Sequence, residues 1–150
     1  MSAGAPTEYD LIPYPALPRP QTHPDRLAAV GKLFGMEPAP VDRCRVLELG
    51  SSDGGNLIPM ASTLTGSRFV GVDLAAGPVA AGRRMVDDLG LENIELHACD
   101  LRTIDDAWGE FDYILAHGLY SWVPEDVRER LLAVCRERLA AEGIAFISTK

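Results

Sequence analysis

The stretch "RVLELGSSDGGN", Arg45–Asn56, runs from apolar residues into an acid, a glycine, two serines, an aspartate and two more glycines. A short apolar run that ends in glycine reads as a strand followed by a tight turn. Glycine permits positive φ there and leaves room for a ligand to approach the backbone. Such a loop also occurs where nothing binds, so its companions decide the reading. Asp73 closes the next apolar run, "RFVGVDL", at the place where an acid can accept hydrogen bonds from both hydroxyls of a ribose. Asp100 closes the run after that, "IELHACD", where a carboxylate can face an adenine amino group. Each acid alone fits a helix cap or a solvated loop equally well. Together, Glu48, Asp73 and Asp100 end three consecutive strands, and that arrangement points to a ligand.

Outward from this stretch, the chain alternates strand and helix. "GGNLIPMASTL" is helical with Pro59 near its start, and "GPVAAGRRMVDDLGL" is a helix opened by Pro78 and closed around Gly90. "FDYILAHG" is the fourth strand, preceded by the acidic, helix-like "TIDDAWG". "PEDVRERLLAVCRERLAAEG" is a helix with Val127, Leu131, Leu132, Val134, Cys135 and Leu139 on one side and Gly143 at its stop, and "IAFIST" is the fifth strand. Ahead of them all, "THPDRLAAVGKLFG" predicts a helix capped by Thr22, closed by Gly35, with Leu27, Val30, Leu33 and Phe34 on its buried stripe. This order argues for an α/β fold, a Rossmann-like doubly wound parallel sheet of five strands with helices on both faces. In such sheets ligands sit beyond the carboxyl ends of the strands, near the switch in strand order.

The loop also narrows the ligand. A dinucleotide fingerprint needs G-x-G-x-x-G, and from Gly50 this chain reads G-S-S-D-G-G, with an aspartate where a phosphate would approach. A P-loop is excluded because no G-K-[ST] follows. Glu48 and Asp53 make the loop electronegative, which suits a ligand carrying positive charge and no phosphate; S-adenosylmethionine, with its ammonium and sulfonium, is such a ligand.

The segment from Arg45 to Thr149 resembles the cofactor-binding half of class I S-adenosylmethionine-dependent methyltransferases: "VLELGSSDGGN", "FVGVDLA", "IELHACDL" and "FDYILAHGLYSWVP" match motifs I to IV. The arm "YDLIPYPALPRPQTHPDRLAAVGKLFG" and the "HGLYSWVP" loop are similar to the bacterial subgroup that carries a methyltransferase regulatory domain, which includes protein-lysine methyltransferases. The resemblance implies S-adenosyl-L-methionine as cofactor, with Glu48 and Gly50 at its methionine end and Ser52 in the same loop. Asp73 would hold its ribose and Leu74 would pack on its adenine. Asp100 and Leu101 would meet the adenine edge, and His117 and Gly118 would flank the sulfonium. Ser51-Ser52 departs from the Cys-Gly or Gly-Cys usual in the family, and Ser52 then occupies a glycine position. The resemblance also implies a seven-stranded fold. Five strands lack its C-terminal antiparallel hairpin, so strand five is expected to be covered by a missing C-terminal region or by a partner chain.

Methyl transfer is an in-line displacement in which the protein chiefly aligns the acceptor and excludes water, and a general base is optional. His117, Tyr120 and Trp122 follow strand four, where the acceptor is expected to enter. His117 and Tyr120 are the candidate catalytic residues; a backbone-satisfied histidine and aromatic packing under the loop are the competing readings. His23 and His97 fit no constellation, and no metal site is expected.

Hydrophobic residues make up 47% of the chain, enough for one core, and 14 basic against 22 acidic residues give a net charge of −8. That sign argues against nucleic acid and anionic membranes as partners. No apolar run is long enough to span a bilayer and no secretory signal opens the chain, so the expected location is cytoplasmic. The cysteines Cys44, Cys99 and Cys135 share no metal or redox spacing and are expected to be free thiols. The proline-rich residues 1–21 form an arm or lid, or else a flexible tail; Tyr9 and Tyr14 in it would close over the cofactor or merely anchor it. Residues 22–150 form the cofactor-binding domain, C-terminally incomplete. A methyltransferase with an unidentified acceptor, a protein lysine or a small molecule, is the favoured function. A non-catalytic S-adenosylmethionine or S-adenosylhomocysteine binding module is the alternative, and a nucleotide-dependent oxidoreductase is disfavoured by the loop.

Overall fold

The structure, a computed structural model, describes residues 17–149, so Tyr9 and Tyr14 lie outside the described residues. Five strands, β1 (Arg45–Leu49), β2 (Arg68–Asp73), β3 (Ile94–Ala98), β4 (Phe111–Ala116) and β5 (Leu139–Ile147), form one sheet in the order β3-β2-β1-β4-β5. Every pairing is parallel. The order reverses between β1 and β4, so the loops that leave these two strands flank the switch point.

Among the described residues, four α-helices cover the sheet: α1 (Pro24–Leu33), α2 (Leu57–Thr63), α3 (Ala76–Asp88) and α4 (Glu125–Arg138). Strand periodicity sorts β1 between the two faces. Val46 joins the core under α1, α2 and α3, with Leu57, Phe69 and Leu115. Leu47 and Leu49 join the core under α4, with Ile114, Leu131 and Val134. The same alternation sends Glu48 toward the α1–α2 side, which is why an acid within a strand becomes a buried acid.

Three local expectations are corrected. The cap of α1 is His23, whose Nδ1 accepts from the Asp25 N–H at 3.1 Å, whereas Thr22 lies in a 3₁₀ turn, Pro20–Thr22. The buried face of α1 is Leu27, Ala28 and Gly31, leaving Leu33 (85% exposed), Phe34 (83%) and Val30 on the outside. Small residues win that face because they admit β5: a Cβ on Gly31 would lie 2.8 Å from Ile144 Cδ1. Finally, α4 ends at Arg138 and Leu132 is exposed; Leu139 already pairs with Phe111 at the start of β5, and a register shift and positive φ at Glu142 follow before Ile144 pairs with Tyr113. Leu139 packs against the cluster containing Phe111, so a tertiary contact overrides the helical preference of "LAAEG".

Cys44 and Cys135 are buried and Cys99 is half-buried, all as free thiols. Among the described residues, no helix is long and apolar enough to cross a membrane.

Candidate functional site

The chain leaves β1 by folding over the end of β2. The Gly50 and Ser51 amides both donate to Val72 O, at 2.8 and 3.1 Å. Gly50 (φ +77°), Ser52 (φ 51°) and Gly54 (φ +78°) take left-handed conformations that compress the turn. Ser52 adopts the conformation that its departure from glycine demands, at a strain of about 1–2 kcal/mol. Its amide donates to Asp73 Oδ2 at 2.8 Å, while Asp73 Oδ1 accepts from the Ala75 N–H at 2.9 Å. Two glycines outside the loop make its seat: a Cβ on Gly71 would stand 2.6 Å from Ser51 Oγ, and one on Gly82 would stand 2.2 Å from Asp53 O.

Beneath this loop, Glu48 is 4% exposed. Oε1 accepts from Asn56 Nδ2 at 2.9 Å, and Oε2 is buried without a partner. Burial pushes the carboxyl up to about 7; the hydrogen bond from Asn56 pulls the other way, and the charge of Asp73 adds to the rise. A half-satisfied buried carboxyl beside a second carboxylate favours any cation that reaches the free oxygen.

Asn56 was not identifiable as part of the site from sequence. In sequence it stands within the helical stretch "GGNLIPMASTL", yet it makes no cap bond to α2. It is buried, and its amide joins Glu48 to the segment ahead of α1: Nδ2 also donates to Thr22 Oγ1 at 2.9 Å, and Oδ1 accepts from the Arg19 N–H at 2.7 Å. These contacts span 34 and 37 residues, so no local pattern carries them.

At the end of β4, His117 receives Gln21 from the same segment. The two Nε2 atoms are 3.3 Å apart, and since an amide nitrogen only donates, His117 accepts. Its ring lies parallel to Phe146 at 6.4 Å. The Gly118 N–H donates to Ser148 Oγ at 2.8 Å, with φ +69°. Tyr120 packs against the α4-side core with Arg128 over its ring at 5.7 Å, and Trp122 is 71% exposed.

The structure therefore brings Glu48, Gly50, Ser52 and Asp73 together around one loop. His117 and Gly118 lie across the switch point. Leu74 is exposed at the rim and Leu101 is buried in the core. Asp100 stands beyond the carboxyl end of β3 and caps its own turn. Its Oδ1 accepts from the Arg102 N–H at 2.9 Å and its Oδ2 accepts from Arg102 Nε and Nη2 at 2.9 and 2.6 Å. These bonds hold its carboxyl below the usual carboxylate range. Asp100 thus presents a fixed negative charge, but one already clamped by an arginine that also reaches Asp126.

A family model described as "Methyltransferase domain" matches residues 46–143. Two proteins of Rickettsia prowazekii (strain Madrid E) are similar over 140 residues, 93% of this chain. "Uncharacterized protein RP789" is 44% identical, with 25% of its own length covered, and "Uncharacterized protein RP028" is 39% identical, with 56% covered. This chain thus spans about a quarter and about half of those relatives. A solved structure of PKMT2 from Rickettsia typhi in complex with AdoHcy is 38% identical with a TM-score of 0.87, over 90% of this chain and 26% of that one.

Proposed function

The chain belongs to the methyltransferase domain family, among the class I S-adenosylmethionine-dependent methyltransferases, and from that premise we propose that it binds S-adenosylmethionine at the β1–β4 switch point and transfers its methyl group to an acceptor. One observation carries the reading: the loop after β1 folds onto Asp73 directly above a buried Glu48 with an unpartnered oxygen. Asp53 stands in the Gly50–Asn56 loop where a phosphate would approach, so the site fits a cationic methionine end and disfavours a pyrophosphate. The AdoHcy bound by the similar PKMT2 supports the same ligand class.

When bound, the cofactor supplies an electrophilic methyl on a sulfonium that leaves as a neutral thioether. In this reading the chain's residues hold and orient. Glu48 Oε2 receives the ammonium, Asp73 the ribose hydroxyls, Gly50 leaves room for the methionine end, and the Ser52 amide orients Asp73. Leu74 covers the adenine and Asp100 meets its edge, with Leu101 packed in the core behind them. His117 and Gly118 face the reacting end, and Tyr120 lies toward the acceptor. His117 Nε2 already accepts from Gln21, so His117 first serves to shape the site; it takes a proton only if Gln21 withdraws. Of the 1–21 arm, the described residues Arg19 and Gln21 seat on Asn56 and His117. A protein lysine fits the subgroup resemblance, and a small molecule is the competing acceptor.

Calorimetry with S-adenosylmethionine, S-adenosylhomocysteine and NAD tests the ligand. Binding of the first two without NAD is expected; NAD binding alone overturns the proposal. Mass spectrometry of a lysate incubated with protein and cofactor then reads the acceptor. Cofactor binding without any methylated product would instead favour the non-catalytic module.

A further inference from the structure

The turn Arg19–Thr22 is fastened at both sides of the switch point. On the β1 side, Asn56 spends both amide hydrogens, one on Glu48 Oε1 and one on Thr22 Oγ1, and its Oδ1 takes the Arg19 N–H. Thr22, fully buried, donates its hydroxyl to Arg19 O at 2.8 Å and so closes the turn on itself. On the β4 side, Gln21 meets His117. An amide held by a donor from Arg19 and an acceptor on Thr22 has one orientation open to it. Reversing it would aim its oxygen at the Glu48 carboxylate and leave both partners in the turn mismatched. The seated turn therefore fixes the Asn56 amide in the one orientation that gives Glu48 a donor.

We propose that Asn56 is a positioning residue that couples the docking of the Arg19–Thr22 turn to the charged form of Glu48, so that turn and cofactor bind cooperatively. The inference rests on the S-adenosylmethionine reading given above. The hydrogen bond from Asn56 favours the Glu48 carboxylate against its burial. Among the described residues, the charged group that bears on Glu48 is Asp73 from β2, which opposes that carboxylate; Thr22 in the turn and Leu115 opposite on β4 carry no charge. By linkage, whatever the seated turn adds to cofactor affinity, the bound cofactor returns to the seating of the turn.

The test uses S-adenosylhomocysteine as probe, with affinity measured by calorimetry from about pH 5.5 to about pH 8.5 for the wild type, Asn56→Ala, Thr22→Val and the double variant. Loss of one hydrogen bond to a charged group predicts about tenfold weaker binding at pH 7 for Asn56→Ala. That loss should shrink as pH rises, with the midpoint of the affinity profile displaced upward by about one pH unit. Thr22→Val removes only the hydroxyl and should move the profile the same way by less. The double variant should be no weaker than Asn56→Ala alone, because both changes cut one chain of contacts. Hydrogen exchange at the Thr22 and His23 amides, which bond to Arg19 O and Pro20 O, should slow on adding the probe to the wild type and not to Asn56→Ala. A loss of affinity equal at every pH, or additive effects with exchange unmoved by the probe, would overturn the coupling. If Asn56→Ala fails to fold, Thr22→Val decides by the same pH and exchange criteria. A wild type that binds no probe at any pH defeats the functional reading itself, a result distinct from those.

Discussion

Replacing Glu48 with glutamine keeps the shape of a buried side chain and removes its proton. The ordinary value of 4.5 is raised to about 7 in the folded protein. As pH rises, the unfolded chain releases this proton first and the folded chain keeps it until near 7. The stabilisation that the neutral carboxyl provides is therefore complete below about pH 4.5 and lost progressively up to about pH 7, after which the contribution is flat. At 1.36 kcal/mol per pH unit, the interval corresponds to about 3 kcal/mol, most of it between pH 5 and 8. The glutamine variant has no such slope. Its amide can still accept from Asn56 Nδ2, but its own NH₂ falls where Oε2 lies buried without a partner, a loss of about 1–3 kcal/mol at every pH. The variant is thus expected to be less stable than the wild type at pH 5 and equal or more stable at pH 8. Urea unfolding at the two pH values, followed by circular dichroism with m held common, measures the difference. A gap between wild type and variant that changes by less than about 0.5 kcal/mol over that range would refute the placement of a half-satisfied carboxyl under the loop. The same variant should lose cofactor affinity, which would mark Glu48 as a residue retained for binding at the expense of stability.

Asp73→Asn should weaken S-adenosylhomocysteine binding at least about tenfold in calorimetry while lowering stability by about 1 kcal/mol, since one of its two backbone amides, Ser52 or Ala75, then faces an NH₂ group; unchanged affinity would remove Asp73 from the ligand. Gly82→Ala would gain about 1 kcal/mol in an open helix. Here the added carbon meets backbone Asp53 O at 2.2 Å, so a net loss of about 1–3 kcal/mol is expected, read as a fall in Tm, and a rise in Tm would show that the loop is not seated on α3. Tyr120→Phe should leave thermal stability within about 0.5 kcal/mol and cofactor affinity unchanged while slowing transfer to the acceptor about tenfold. An unaltered rate would assign Tyr120 to packing alone.

The order of strands and helices was legible in the sequence because it is written in local terms: apolar alternation in "CRVLELG" and "RFVGVDL", prolines at helix starts, and glycines Gly50 and Gly90 where φ is positive. Glu48 and Asp73 were legible as candidates for the same reason, each standing at or near the end of its strand. Local reasoning misassigned the face of α1, because Leu33 and Phe34 are the stronger hydrophobes and only the proximity of β5 selects Gly31 instead. It also extended α4 through residues that the register with β4 claims for β5.

What the sequence by itself determined, then, is the set of elements and the rim on which the acids stand. The fates of those acids were decided by tertiary structure. Glu48 and Asp100 look alike in sequence, a carboxyl near a strand end. Yet one is buried, half-satisfied by Asn56 and raised toward neutrality, and the other is clamped by Arg102 and held charged. A carboxyl's charge depends on its solvation and partners, and those partners come from strands and turns far away in sequence, brought together only when the sheet adopts the order β3-β2-β1-β4-β5.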